Sequence, residues 1–301
     1  MSVAITAAQV KELREKTGVG MMECKQALTE NQGDMEKAIR WLRERGMARA
    51  AKKADRVASE GTVEVYVNED LNAGILLEVN CETDFVSKNE DFRKFVHETA
   101  VVALKGSIED LDRLSESKLP SGDTVAATLT ALIAKIGENM KLRRIKIVAS
   151  KNGTVVGYSH MGGRIGTLVA LDGAKNPSIQ ELGKDLAMRV AAAFPRFLKP
   201  EDVEASELEV EKDLARKKLQ QENKPDHLIE KIMQGQINKF YKEVCLVEQA
   251  FIKDPNQTVK GLVQSKGVQL ASFARFQMGE GIEKKQENFA EEVAAATKGL
   301  N

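Results

Sequence analysis

The chain has 301 residues, 42% of them hydrophobic and only 5% aromatic, which suits aliphatic cores spread over roughly two domains. Lys+Arg 45 balance Asp+Glu 45, and a formal net charge of zero argues against a dedicated nucleic-acid binder, which needs a basic face. Three scattered cysteines, no basic-then-apolar N-terminal stretch and no long apolar run lead to the expectation of a cytoplasmic protein without disulfides, signal peptide or membrane span.

In chain order, residues 1–46 read as a domain of three short helices. Thr6 with Gln9 forms a capping-box pattern ahead of Val10 and Leu13, and Gly18 and Gly20 break that helix. A second helix is predicted over Met22–Thr29. Asp34 caps a third that carries Met35, Ala38, Ile39 and Leu42 and is expected to end at Gly46. Residues 47–60 are Ala-rich and polar, with Arg49, Lys52, Lys53 and Arg56, and read as a partly helical linker.

From Gly61 the period changes to two. Val63, Val65 and Val67 mark one strand, and Ile75, Leu77, Val79 and Cys81 mark its hairpin partner. A helix with Phe92, Phe95, Val96, Ala100 and Ala103 on one face follows. A second helix is predicted over Thr124–Met140 and a third strand over Arg144–Ala149.

A shift of 92 residues repeats this unit: Gly61-Thr62-Val63 matches Gly153-Thr154-Val155, Tyr66 matches Tyr158, and Gly74 matches Gly166. The same shift pairs Phe95, Val96 and Ala100 with Ala187, Met188 and Ala192, and Val268–Met278 parallels Arg144–Ala149. The centre is therefore expected to be α+β: two related units, 61–151 and 152–200 continued by 252–282, each with a small antiparallel sheet and helices on one face. Residues 201–251 interrupt the second unit as a charged helical hairpin. Ser206 and Glu209 suggest a capping box, and Asn223-Lys224-Pro225-Asp226 a turn. Leu208, Leu214 and Leu219 face Ile229, Ile232, Met233, Ile237, Phe240, Tyr241 and Val244, a pattern that suits an antiparallel coiled coil. Residues 283–301 read as a terminal helix with Phe289, Val293 and Ala296.

Chemistry-bearing patterns are missing. There is no Gly-x-x-x-x-Gly-Lys-Ser/Thr sequence for phosphates, and Gly162-Gly163-Arg164-Ile165-Gly166 aligns with a strand turn of the first unit. His97, His160 and His227 lie in separate units without ligand spacing, and no Ser-His-Asp or Cys-His arrangement has local support. Neither catalysis nor a cofactor is expected. A ribosome- or RNA-binding role rests only on the basic 49–56 segment, and no aromatic stacking platform supports it.

One loop stands out. Cys81-Glu82-Thr83-Asp84-Phe85-Val86-Ser87-Lys88 joins a strand to a helix, and Phe85 fits neither periodic pattern. It is either a plug under the following helix or an aromatic anchor for a partner. At the offset of 92 the second unit has Lys175, Asn176 and Pro177, so a plug required by the fold is not repeated. Met21 and Met22 pose a similar choice between core filler and contact residue.

Glu78-Val79-Asn80-Cys81-Glu82-Thr83-Asp84-Phe85-Val86-Ser87-Lys88 resembles a signature of the bacterial translation elongation factor Ts family. Leu13–Leu28 resembles its N-terminal signature, with Val19 and Glu23 where Ala and Asp are usual. The resemblance extends through Lys135-Ile136-Gly137-Glu138-Asn139 and Gly279-Glu280-Gly281-Ile282-Glu283-Lys284. It implies a UBA-like N-terminal domain and a guanine-nucleotide exchange factor without active-site chemistry of its own. The partner would be elongation factor Tu, a GTPase, gripped in its GDP form until GDP and Mg²⁺ leave. It further implies that Thr83, Asp84, Phe85 and Val86 approach the partner's Mg²⁺ and phosphate region and that Met21 and Met22 contact a partner helix. The hairpin could support a homodimer or a 2:2 complex; no direct nucleic acid and no membrane are implied.

Overall fold

The structure, a computed structural model, describes residues 4–221 and 226–283. Thr6 does close a capping box with Gln9 at the start of α1 (Ala7–Thr17), and Gly18, at φ 69°, ends it in the left-handed conformation that glycine tolerates. α2 (Met21–Glu30) and α3 (Met35–Lys53) complete the N-terminal bundle around Val10, Leu13, Cys24, Ala27, Leu28, Ala38 and Leu42.

The expected stop at Gly46 does not occur. α3 runs on through most of the predicted linker to an Ala54 cap, because the neighbouring unit claims its far end. Gly46 lies so close to Ala134 that an added Cβ would sit 3.2 Å from it, and Ala50 packs against the first unit's core. A buried glycine with helical φ and a close neighbour is packing, not punctuation.

The alternating runs form β1 (Glu60–Val67) and β2 (Ala73–Cys81), an antiparallel pair. A short α4 (Asp84–Ser87) follows, then α5 (Glu90–Lys105), which buries Phe92, Phe95, Val96, Thr99, Ala100 and Ala103. An unexpected α6 (Leu111–Glu116), a short helix capped by Asp110, seats Leu114 in the core. α7 (Val125–Ile136) stops four residues short of the predicted Met140, because Gly137 adopts φ 89° and ends it. Met140 instead opens β3 (Met140–Ala149), which starts before the expected Arg144 and completes the sheet β1-β2-β3.

β4 (Gly153–His160), β5 (Ile165–Asp172), α8 (Pro177–Ala193) and, after the hairpin, α11 (Val259–Ser265) and β6 (Gln269–Gln277) rebuild the unit. The sheet β4-β5-β6 has the same antiparallel order. Even the ladder irregularity recurs at the offset of 92, between Glu78 and Val79 in the first sheet and between Ala170 and Leu171 in the second. The sheets pack face to face through Val63, Leu76, Val148, Val155, Leu168, Ala170 and Ala274, with helices on both outer faces.

The repeat also shares a backbone approach. An added Cβ at Gly61 would collide with the Val79 carbonyl, and one at Gly153 with that of Leu171. Gly153→Ala must therefore move backbone, and overpacking of this kind costs about 1–3 kcal/mol. A drop in the thermal unfolding midpoint, with the fold retained by circular dichroism, is the expected result.

The repeat register for the helices needs correction. α5 is capped by Asn89 and α8 by Asn176, an offset of 87. With that register Phe92, Phe95, Thr99, Ala100 and Ala103 fall on Ile179, Leu182, Leu186, Ala187 and Val190, all of them buried. Under the offset of 92, Ala192 would be a core residue, yet it is exposed. The first unit thus carries five extra residues between strand and helix, and they include α4.

α9 (Ala205–Gln221) and α10 (Asp226–Val244) form the hairpin, whose turn lies outside the described residues. α9 begins at Ala205, so Ser206 sits inside it and is not its cap. Leu219 is buried as expected, but Leu214 is 57% exposed and Ala215 takes the inward position. Ile237, Phe240 and Val244 line the facing side of α10. The predicted terminal helix lies, apart from Glu283, outside the described residues. Among the described residues no helix is long and apolar enough to cross a membrane, and no group of His, Cys, Asp or Glu could hold a metal.

Candidate partner-contact site

The strand β2 ends at Cys81, whose thiol donates to the Thr83 carbonyl at 3.1 Å. Burial, with Glu138 and Glu60 nearby, pushes that thiol up to about 12, so it stays protonated and unreactive. The chain then turns through Glu82 and Thr83 into α4. Phe85 stands 80% exposed while its neighbour Val86 is buried in the first unit's core. Phe85 is therefore not a plug under the following helix; the buried position belongs to Val86. Val86, expected with its neighbours to approach the partner, has its side chain buried in the free protein.

Each remaining residue of the segment has a defined tie. The Thr83 amide donates to Glu138 Oε2 at 3.0 Å and its hydroxyl to Oε1 of the same carboxylate at 2.7 Å. Glu82 accepts from the Asn139 amide at 2.6 Å and pairs with Arg56 at 3.5 Å. Asp84 pairs with Lys88 at 2.7 Å. That hydrogen bond, with the charges of Lys88 and Arg164, holds the Asp84 carboxyl below the usual carboxylate range. Arg164 comes from the turn between β4 and β5 and also reaches Glu60 at 3.5 Å. Arg93 donates to the Ser87 carbonyl at 3.2 Å, closing the far end of α4.

Met21 and Met22 open α2, 43% and 76% exposed, so neither fills the bundle core. Three of the four basic residues in the expected linker are engaged: Arg49 with Glu23, Lys53 with the Gly137 carbonyl, and Arg56 with Glu82.

The quoted stretches converge in space. Glu78 is fully buried and accepts from Arg143 at 2.8 Å, Arg144 at 2.6 Å, Asn80 at 3.1 Å and the Gly279 amide at 2.7 Å. Arg144 continues to Glu280 at 3.0 Å, and Arg143 reaches the Glu280 carbonyl. So Glu78 and Asn80 of the first signature join Gly279 and Glu280 of the last stretch in one buried cluster, while Glu138 and Asn139 of the third brace the segment that bears Phe85. The signal for Glu78 available in the sequence is a carboxylate in a strand whose other residues, Asn80 apart, are apolar or glycine.

The model of the family described as "Elongation factor TS" matches residues 82–280. The chain is 49% identical over 297 residues to elongation factor Ts of Clostridium perfringens strain SM101, covering 96% of this chain and 98% of that protein. It is 48% identical over 298 residues to that of Clostridium botulinum strain Eklund 17B, covering 96% and 98%. The chain belongs to the elongation factor Ts family. The family match begins at Glu82, directly after β2, and ends at Glu280, on the arginine-bound loop. The elongation factor Ts relatives also span the N-terminal bundle, since their alignments cover nearly the whole chain.

Proposed function

We propose that this protein is a guanine-nucleotide exchange factor for elongation factor Tu, working in the cytoplasm without active-site chemistry of its own. It binds the GDP-bound GTPase, disturbs the Mg²⁺ and phosphate site, and promotes GDP release so that GTP can bind. Family membership supports the partner. The observation that carries the site is the 80% exposure of Phe85 on a segment tied down on every side. A large aromatic held out in water is characteristic of an interface anchor.

Exchange is a coupling between two ligands of the GTPase. The factor must bind the nucleotide-free form better than the GDP form, and the effect is reciprocal. Within the Thr83–Val86 segment, Phe85 and Asp84 face outward for this task, whereas Thr83 and Val86 hold the platform. Asp84, ionised and paired with Lys88, competes with a cation's oxygen ligands for the ion once the partner draws Lys88 away. The N-terminal bundle is a UBA-like module that docks Met21 and Met22 on a partner helix. The hairpin is a coiled coil that supports self-association or a 2:2 complex.

The deciding experiment is release of a fluorescent GDP analogue from elongation factor Tu with and without this protein. Release that is no faster with the protein overturns the proposal. Met22→Ala tests the second surface. The side chain is exposed, so stability should hold, while loss of a fully buried methionine contact should weaken association by about tenfold or more. Titration of the complex by interferometry checks this, and unchanged affinity excludes Met22 from the interface.

A further inference from the structure

We propose that Glu138 is a positioning residue for exchange, fixing the aim of Phe85 through Thr83; this rests on the exchange reading above. α4 has four residues, too few to hold a helical shape on intrinsic propensity. Thr83 is its N-cap residue, yet the Thr83 side chain makes no capping bond to the helix. Its hydroxyl and its amide both go instead to the two oxygens of Glu138, at 2.7 and 3.0 Å. A two-point bond to a charged acceptor fixes direction as well as distance. The residue next to Asp84 is therefore oriented from 55 positions away in sequence, and Phe85 lies one residue further on.

Glu138 is itself immobilised. It sits between Gly137, the left-handed end of α7, and Asn139, which adjoins the first residue of β3. The Asn139 side chain is buried and donates to the carbonyls of Ala54 at 3.2 Å and Arg56 at 2.7 Å, while Lys53 donates to the Gly137 carbonyl. Three consecutive residues thus hold both the platform of Phe85 and the end of the helix that carries the N-terminal bundle. A purely structural clamp would need only to bury the corner. Here the acceptor is spent on a segment that the second unit lacks.

The test compares release of a fluorescent GDP analogue from elongation factor Tu across a range of factor concentrations. The arms are the full-length protein, Glu138→Ala, Glu138→Gln and Thr83→Val. Misplacing a contact by about an ångström can cost up to a hundredfold in rate, so Glu138→Ala is expected to lower the plateau release rate about tenfold. The half-saturating concentration should move less than about threefold, because the outlying contacts persist. Glu138→Gln should recover most of the plateau: its amide oxygen can accept from the Thr83 amide and its NH₂ can donate to Thr83 Oγ1. Thr83→Val, which removes one arm of the clamp, should fall between, and it carries the test alone if Glu138→Ala does not fold. Full-length protein that fails to speed release overturns the exchange reading itself. A wild-type plateau for Glu138→Ala or Thr83→Val, or Glu138→Gln no better than Glu138→Ala, overturns the positioning role alone.

Discussion

Phe85→Ala is expected to slow the saturated rate of GDP release about tenfold or more while the complex with elongation factor Tu still forms. The full burial of one phenylalanine contributes about 1.5–3 kcal/mol, and each ~1.4 kcal/mol is a factor of ten. If that burial is made only with the nucleotide-free partner, its loss falls on the release step and not on encounter. The free protein should barely notice, because truncation of a side chain that is 80% exposed usually changes stability by within about 0.5 kcal/mol. Stopped-flow release at saturating factor, paired with a thermal melt, separates the two quantities. An unchanged plateau rate would remove Phe85 from the mechanism, and an equal loss in affinity and rate would make it a plain binding contact.

The second large effect concerns stability. Glu78 is the common acceptor for two guanidinium groups and a backbone amide in the space between the sheets. Glu78→Ala leaves Arg143 and Arg144 without their counter-ion in a partly buried position. Breaking a buried pair from one side costs about 3–5 kcal/mol, and partial solvent access of the two arginines places this case near 3 kcal/mol. Glu78→Gln, which keeps the shape and one acceptor oxygen, should lose less. Urea unfolding measures both, and a midpoint for Glu78→Ala equal to wild type would show that the arginines find other partners.

The same cluster predicts acid sensitivity. Burial raises the pKa of Glu78, but the Gly279 amide and the two arginines outweigh it and hold the carboxyl below its ordinary value of 4.5. The unfolded chain therefore takes up the proton first as pH falls. The stabilisation from Glu78 is complete above about pH 4.5, declines below it, and is gone once the folded carboxyl is protonated. Glu78→Gln should flatten that part of the stability profile.

Much of this fold was legible because period and punctuation agreed. The Val63–Val65–Val67 alternation, the cap at Thr6 and the duplicated Gly61 and Gly153 all carry local signals. The failures have separate causes, and only the first was decided by a partner distant in sequence. Gly46 read as a stop until Ala134 packed against it. Met140 read as helix because its apolar character suits either state, and only Gly137 settles the boundary. Ala192 read as core because strand register was carried across five extra residues. At the site, Phe85 was visible through its lack of a counterpart, whereas Glu138 had no local pattern to betray it, its bond partner being Thr83 on another element.

The uninterrupted run of α3 into the first unit has a mechanical meaning. A hinge at residues 47–60 would let the methionine-bearing bundle swing on a tether, and each engagement would then restrict that swing at an entropic cost. With the helix seated against Ala134 and its last turn held by Gly137 and Asn139, the bundle behaves as the fixed jaw of a calliper. The spacing between Met22 and Phe85 is then set before any encounter, so, on the proposed exchange reading, a GTPase whose two surfaces drift from that gauge would be strained by the grip itself.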